Sequence, residues 1–255
     1  PQWLTSEHAK QDANWRREIL LRRGRAAWIL ADRSVTRESA FALEALAVDA
    51  QMPLARAYAL LLKADESADF GLYEAANADV SAAAEILRAT EDPHWQALAN
   101  TELCDAYWSS GPPELAMRYC RSAEKQLQEG GDQWLLGRVE NAISMLLEGE
   151  DKDEQAIAVA HRAQDRFRRL QMPSMVAMID DNLSSLYLER GEPEKALALS
   201  ENSLKIELAA GKYAHAALSR INIASALSRL GRHKQALASI DEAIADSNRA
   251  GLESV

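Results

Sequence analysis

Five histidines are the side chains best suited to acid–base or metal chemistry in this sequence, and they lie far apart, at His8, His94, His161, His215 and His233. None falls in an HExxH pair or beside a cysteine at zinc-ligand spacing. The two cysteines, Cys104 and Cys120, are too few for a disulfide framework or a four-thiolate zinc site. No P-loop, nucleophile elbow or dinucleotide-binding glycine turn is present. Asp and Glu are abundant, but charge is the ordinary composition of a solvated helix face. Lacking a nucleophile–base pair or a metal constellation, the chain reads as non-catalytic and without a cofactor. The chemistry left to it is binding.

Charge narrows what it binds. The net charge is −10, which disfavours general affinity for nucleic-acid phosphates or an anionic membrane surface. Against that background Arg16, Arg17, Arg22, Arg23, Arg25, Arg33 and Arg37 form a basic cluster, diluted by Glu18, Asp32 and Glu38. It reads either as an exposed face laced with ion pairs or as a docking face for an acidic partner. No run of 18 apolar residues occurs, and the opening residues are not a signal peptide. A cytoplasmic setting is favoured, or a periplasmic one if an upstream signal has been removed.

Punctuation shows which elements carry these residues. Gly111, Gly191 and Gly231 share a 40-residue register, with Asp151 in the missing slot. Gly131, Gly211 and Gly251 share a second, with Gln171 in the gap. Pro53, Pro93 and Pro173 keep the same ruler, as do Ala76, Ala116, Ala156, Ala196 and Ala236. A fixed period of this size marks a stacked array whose units bury their faces only on neighbours. The clearest unit has a first helix over Val176–Arg190, with Ile179, Leu183, Leu186 and Tyr187 at helical spacing. Gly191 stops that helix and Pro193 opens the second, whose apolar face ends at Gly211. Counting outwards gives a lead-in segment at 1–14 and six helix pairs near 15–54, 55–94, 95–134, 135–174, 175–214 and 215–251. In the first pair, Gly24 marks a close crossing. Cys104 and Cys120 fall on the two helices of the third pair and could approach each other. Two small buried thiols are the favoured reading, since free cysteine is among the most buried residue types, and a reducing compartment goes with it.

The pattern Leu183…Tyr187…Gly191…Ala196, repeated through the third, fifth and sixth pairs, resembles the tetratricopeptide repeat. A 40-residue unit is longer than the usual one of about 34. It is similar to those of kinesin light chains, MalT-like bacterial regulators and arrays preceding diguanylate cyclase domains. The resemblance implies an all-α, right-handed α-α superhelix acting as a protein- or peptide-binding module, the regulatory or scaffold part of a larger bacterial protein. Its alternative is a ligand-responsive sensor that controls an attached diguanylate cyclase or DNA-binding domain. Peptide-sensing phosphatase regulators of Gram-positive bacteria are also similar, although they carry an N-terminal three-helix bundle.

In this family the first helix of each pair lines a concave groove. The resemblance therefore assigns Trp28, Glu102, Asp105, Trp108, Asn141, Asp181, Asn182, Ser185, Asn222 and Arg229 to the partner-binding face, with Arg138, Glu189 and Ser225 beside them. Trp28 and Trp108 occupy one slot two units apart. Asn141, Asn182 and Asn222 make a near-regular row, and an amide that both donates and accepts can clamp an extended peptide backbone. The alternative is that these amides brace neighbouring helices and the tryptophans fill gaps. Asp and Glu in the groove argue against a partner that offers a free carboxylate. Finally, Ile240, Ala243 and Ile244 give the last helix an internal-looking apolar face. The chain is therefore expected to be a fragment of a longer protein, and to self-associate through its C-terminal end.

Overall fold

The computed structural model describes residues 6–29, 32–49, 51–128 and 131–251. Every regular element among them is an α-helix. In order they are α1 (Ser6–Ile29), α2 (Arg33–Asp49), α3 (Pro53–Asp69), α4 (Tyr73–Arg88), α5 (Pro93–Ser110), α6 (Pro113–Leu127), α7 (Gln133–Glu148), α8 (Asp153–Arg169), α9 (Pro173–Glu189), α10 (Pro193–Ala209), α11 (Tyr213–Arg229) and α12 (His233–Arg249). Odd-numbered helices pair with the even-numbered ones that follow, giving the six pairs expected. The chain gathers into two compact units, Pro1–Gly131 with α1–α6 and Asp132–Val255 with α7–α12. The lead-in expected at 1–14 is not separate in the described part, because α1 runs unbroken from Ser6 to Ile29. Helix α9 begins three residues earlier than periodicity suggested, at Pro173, whose fixed φ suits the first helical position.

Backbone stereochemistry sets the period. Left-handed residues fall at Gln51, Gly71, Glu91, Asp151, Gln171, Gly191, Gly211, Gly231 and Gly251, all on one 20-residue ruler. The residue after most of these stops hydrogen-bonds back five residues, as Glu192 N does to Tyr187 O at 2.8 Å and Arg232 N to Leu227 O at 2.9 Å, whereas Asp92 N bonds the Thr90 hydroxyl instead. These bonds satisfy the last carbonyls and reverse the chain. Gly111 departs from the pattern with φ −127°, and α5 runs on to Ser110.

Alanine lets the helices of a pair approach. Ala116, Ala156 and Ala196 are all 0% exposed, and Ser144 and Ser184 donate to the carbonyls of Ala156 (2.9 Å) and Ala196 (3.1 Å). Larger side chains fill the spaces on either side: Leu43, Tyr58, Leu62 and Leu98 in the first unit, Ile143, Phe167, Ile179 and Leu183 in the second. Gly24 is the close crossing anticipated, since a Cβ there would lie 2.4 Å from Leu62 Cδ1.

The cysteines require a correction. Cys104 on α5 and Cys120 on α6 are joined as a disulfide with Cα atoms 4.9 Å apart, where the sequence favoured two free thiols. Their slots recur 80 residues later as Ser184 and Ser200, whose hydroxyls hydrogen-bond at 2.7 Å. The two helices of a pair approach closely at this position, so two sulfurs placed there meet. The inference of a reducing compartment loses the observation it rested on. Among the described residues no helix is long and apolar enough to cross a membrane.

Candidate peptide-binding face

In the first unit, α5 carries three of the assigned residues. Trp108 is 41% exposed and Asp105 half-buried, whereas Glu102 is buried at 7%. Glu102 therefore stands apart from any surface a partner could touch. The side chain of Trp28 lies outside the described residues. The arginine cluster is mostly committed: Arg17 pairs with Glu18 (2.7 Å), Arg23 with Glu38 (2.7 Å) and Arg37 with Glu66 (Nε, 2.9 Å). Arg33 lies 4.9 Å over the Phe70 ring. This is the ion-paired reading of that cluster.

In the second unit the assigned residues come together with a regular offset. Asn182 Nδ2 on α9 donates to Asn141 Oδ1 on α7 at 2.9 Å, a separation of 41 residues. The same offset places Asn222 of α11 beside Asp181 of α9, where it favours the charged carboxylate. It also brings Arg229 Nη1 onto the Leu188 carbonyl at the end of α9. Successive first helices run alongside one another, so residue i meets residue i+41 rather than i+40. The amides are thus partly spent on bracing, as one of the two readings held. Asn141, Asn182 and Asn222 nonetheless stay half-buried rather than sealed. Ser185 is likewise half-buried, Glu189 and Ser225 are exposed, and Ser225 bonds its own helix at Ile221 O (3.0 Å). Arg138 lies 4.8 Å over the Trp134 ring.

Behind this row sits a polar layer of Asp181, which the sequence reading had placed on the binding face, with Asp180 and Glu207, which it missed. Asp181 Oδ2 accepts from Ser203 at 2.7 Å and Ser219 at 2.8 Å, while its buried Oδ1 has no partner at bonding distance. Asp180, fully buried, accepts from Asn202 at 2.5 Å and from Gln164. Glu207 is 2% exposed and its Oε2 is unbonded. Burial pushes all three carboxyls above their usual range, and the hydrogen bonds to Asp180 and Asp181 oppose it. The signal available in sequence was the polar series Asn100, Glu140, Asp180 and Arg220, which keeps a 40-residue register at positions helical periodicity would bury. No group of three or more His, Cys, Asp or Glu among the described residues could hold a metal ion.

This pair geometry and its punctuation are those of helical repeat proteins. Residues 175–248 match the tetratricopeptide repeat model, and no curated protein matches the chain in sequence. The structure is similar to that of BtubC (BKLC) from P. vanneervenii, at 21% identity and TM-score 0.67, over 89% of this chain and 92% of that one. It is similar to a Rap protein complexed with competence and sporulation factor, at 14% identity and TM-score 0.72, over 93% of this chain and 77% of the other. A third likeness is to a signal-transduction ATPase with numerous domains from Pyrococcus horikoshii, which carries a tetratricopeptide repeat sensor. There the identity is 18% and the TM-score 0.64, over 87% of this chain and 36% of that one. Residues 175–248 are tetratricopeptide repeats in sequence, and the fold of the chain is shared with proteins that carry such repeats. It has the all-α solenoid class that its period predicted.

Proposed function

We propose that this chain is a non-catalytic binding module that holds an extended peptide or protein segment along its first helices. The observation that carries the reading is the row of half-buried amides at Asn141, Asn182 and Asn222. Their spacing follows the repeat, and an amide can accept from and donate to a peptide backbone whatever its sequence. In the first unit, taken by itself, Trp108 offers a large exposed aromatic surface of the kind that interfaces use as an anchor. Acidic side chains at Asp105 and Glu189 suit a neutral or basic segment and oppose a free carboxylate. The test is binding to an array of extended peptides graded in charge. Neutral and basic members should be captured, and Asn182→Ala with Asn222→Ala should abolish capture while leaving helix content unchanged. Capture that is unaffected by the double substitution would remove these residues from the site.

A sensor controlling an attached output domain is the second reading, supported by the likeness to the ATPase with its repeat sensor. Reading the gene past the Val255 codon separates the two: a cyclase, ATPase or helix-turn-helix domain there favours the sensor, and its absence favours a stand-alone adaptor.

A further inference from the structure

The first helices of the second unit each turn one stripe of side chains to the open face. On α9 the stripe is Met178, Asn182, Ser185 and Glu189, an i, i+4, i+7, i+11 series whose members are all half-buried or exposed. On α11 the same slots hold Leu218, Asn222, Ser225 and Arg229. Leu218 is 57% exposed. Met178 has the same slot on a helix flanked by α7 and α11, and it too is open, so the slot faces the groove and not a neighbouring helix. From helix start to helix end, the face passes from apolar groups through amides and hydroxyls to charge.

The charged end is acidic where α7 meets α9. The offset that joins Asn141 to Asn182 also brings Glu148, the last residue of α7, to Glu189, the last of α9. Neither forms an ion pair among the described residues. Burial pushes the Glu148 carboxyl above its usual range, and Glu189 and then Asp153 push it further. The cations nearby are committed elsewhere: Lys152 to Glu150, Arg190 to Glu192 and Arg229 to the Leu188 carbonyl. At the opposite end of the stripes, Arg138 shares the slot of Met178 and Leu218 and lies over the Trp134 ring.

An extended backbone points its N–H and C=O groups at right angles to its side chains, which alternate from one side to the other. A strand laid across α7, α9 and α11, with those groups on Asn182 and Asn222, therefore aims successive side chains at the two ends of the stripes in turn. From Met178 to Glu189 is about 16 Å along the helix, a span that two side chains on opposite sides of one strand cover between them. Helices packed about 9 Å apart and a rise of about 3.3 Å per residue make the bound stretch about six residues long.

We propose that the segment held by this face alternates apolar and polar residues, its apolar side chains lying on Met178 and Leu218 and one lysine or arginine, on the other side of the strand, lying between Glu148 and Glu189. This rests on the amide row being a peptide site and adds which peptide that site selects. Arg229 makes the next position on the charged side unfavourable to a second basic residue.

Fluorescence anisotropy of labelled peptides of that length on the full chain tests it. The first peptide has leucine at alternate positions, with one lysine and serines between them. It should bind about tenfold more tightly than an isomer with its leucines in one block, and about tenfold more tightly than a version with glutamate for lysine. Glu148→Gln with Glu189→Gln should erase the preference for lysine and keep that for alternation. Leu218→Ser should weaken the preference for alternation and keep that for lysine. Circular dichroism checks that helix content is unchanged in each variant. Peptides that depend on Asn182 and Asn222 for binding but show neither preference overturn this inference and leave the amide row in place. A lysine preference that survives the double glutamine variant overturns the placement of the basic residue. If no peptide binds, the amide-row reading falls and this inference falls with it.

Discussion

Arg166 closes two hydrogen bonds on Glu140, from Nε at 2.9 Å and Nη2 at 3.1 Å, across the α7–α8 pair. The same two slots are used in every pair from the third onward, with different chemistry each time. Asn100 bonds Ser122 and Gln126, Glu140 bonds Arg162 and Arg166, Asp180 bonds Asn202, and Arg220 bonds Glu242 and Asp246. A polar residue on the first helix thus meets a partner 22 residues later and, in all but the fifth pair, another 26 residues later. Since the slot holds an amide, then two acids with different partners, then a base, a helix docked on the wrong partner would leave buried polar groups mismatched.

Removing one partner of the last brace should therefore be costly. Asp246 has a side chain only 3% exposed and pairs with Arg220, whose Nε lies 2.7 Å away, and more distantly with the exposed Arg249 at 3.5 Å. Arg220→Leu leaves it only the longer contact and is expected to destabilise α11–α12 by about 3 kcal/mol, the low end of the cost of breaking a buried pair. Adding Asp246→Leu should recover most of it. Urea unfolding of both variants checks this, and a double variant no better than the single would show that the carboxylate is not the burden.

Reduction of the disulfide gives a second expectation. Its cysteines are 16 residues apart, and a loop of that size is stabilised by about 3 kcal/mol on closure. Reductant should speed hydrogen exchange in α5 and α6 and leave α9 and α10 unchanged. Cys104→Ser with Cys120→Ser should still fold, because Ser184 and Ser200 bond in the same slots, and should lose all response to reductant. A wild-type chain indifferent to reductant would mean the thiols are free.

The period was legible because glycine, proline and alanine are imposed locally, by φ, by ring closure and by the space between two helices. Asp151 and Gln171 were recognisable as stand-ins for glycine, and both prove left-handed, at φ 57° and 56°. What lay beyond sequence was the offset of 41. It depends on how one helix leans on the next, a tertiary quantity that no residue type encodes. Hence the amide row was found, while the braces Asn141–Asn182 and Asp181–Asn222 were not. The disulfide was missed for another reason: burial statistics for cysteine outweighed the register that aligns Cys104 and Cys120 with a bonded serine pair.

Those stand-ins supply a third prediction. A non-glycine residue in the left-handed region carries a penalty of about 1–2 kcal/mol, and glycine gives back part of it through a freer unfolded chain. Gln171→Gly should raise stability by about 0.5–1 kcal/mol, and Gly191→Gln, at φ 74°, should lower it similarly. Thermal melts of the two variants would expose the error if both moved the same way.

Glu207 offers the last. Its carboxyl is buried and unbonded at Oε2, and its pKa is raised first by burial and then by Asp181, with Lys212 opposing. An acid whose folded pKa lies above its unfolded one is more easily ionised unfolded. Its contribution to stability is therefore complete below the ordinary glutamate range, about 4.3, and is lost as pH rises through the folded value. Asp180 and Asp181, raised by the same cause, add the same slope. The unfolding midpoint in urea should therefore fall as pH climbs from the ordinary carboxylate range towards neutrality. Glu207→Gln removes the ionisation and should flatten part of that fall. The variant is expected to be more stable than the parent by about 1 kcal/mol at pH 7, near the lower cost of a buried unbonded polar group. At about pH 3, well below the ordinary glutamate value, the parent carboxyl holds its proton in both states and the difference should close. A gain that persists unchanged into acid would place its origin in packing rather than in the charge.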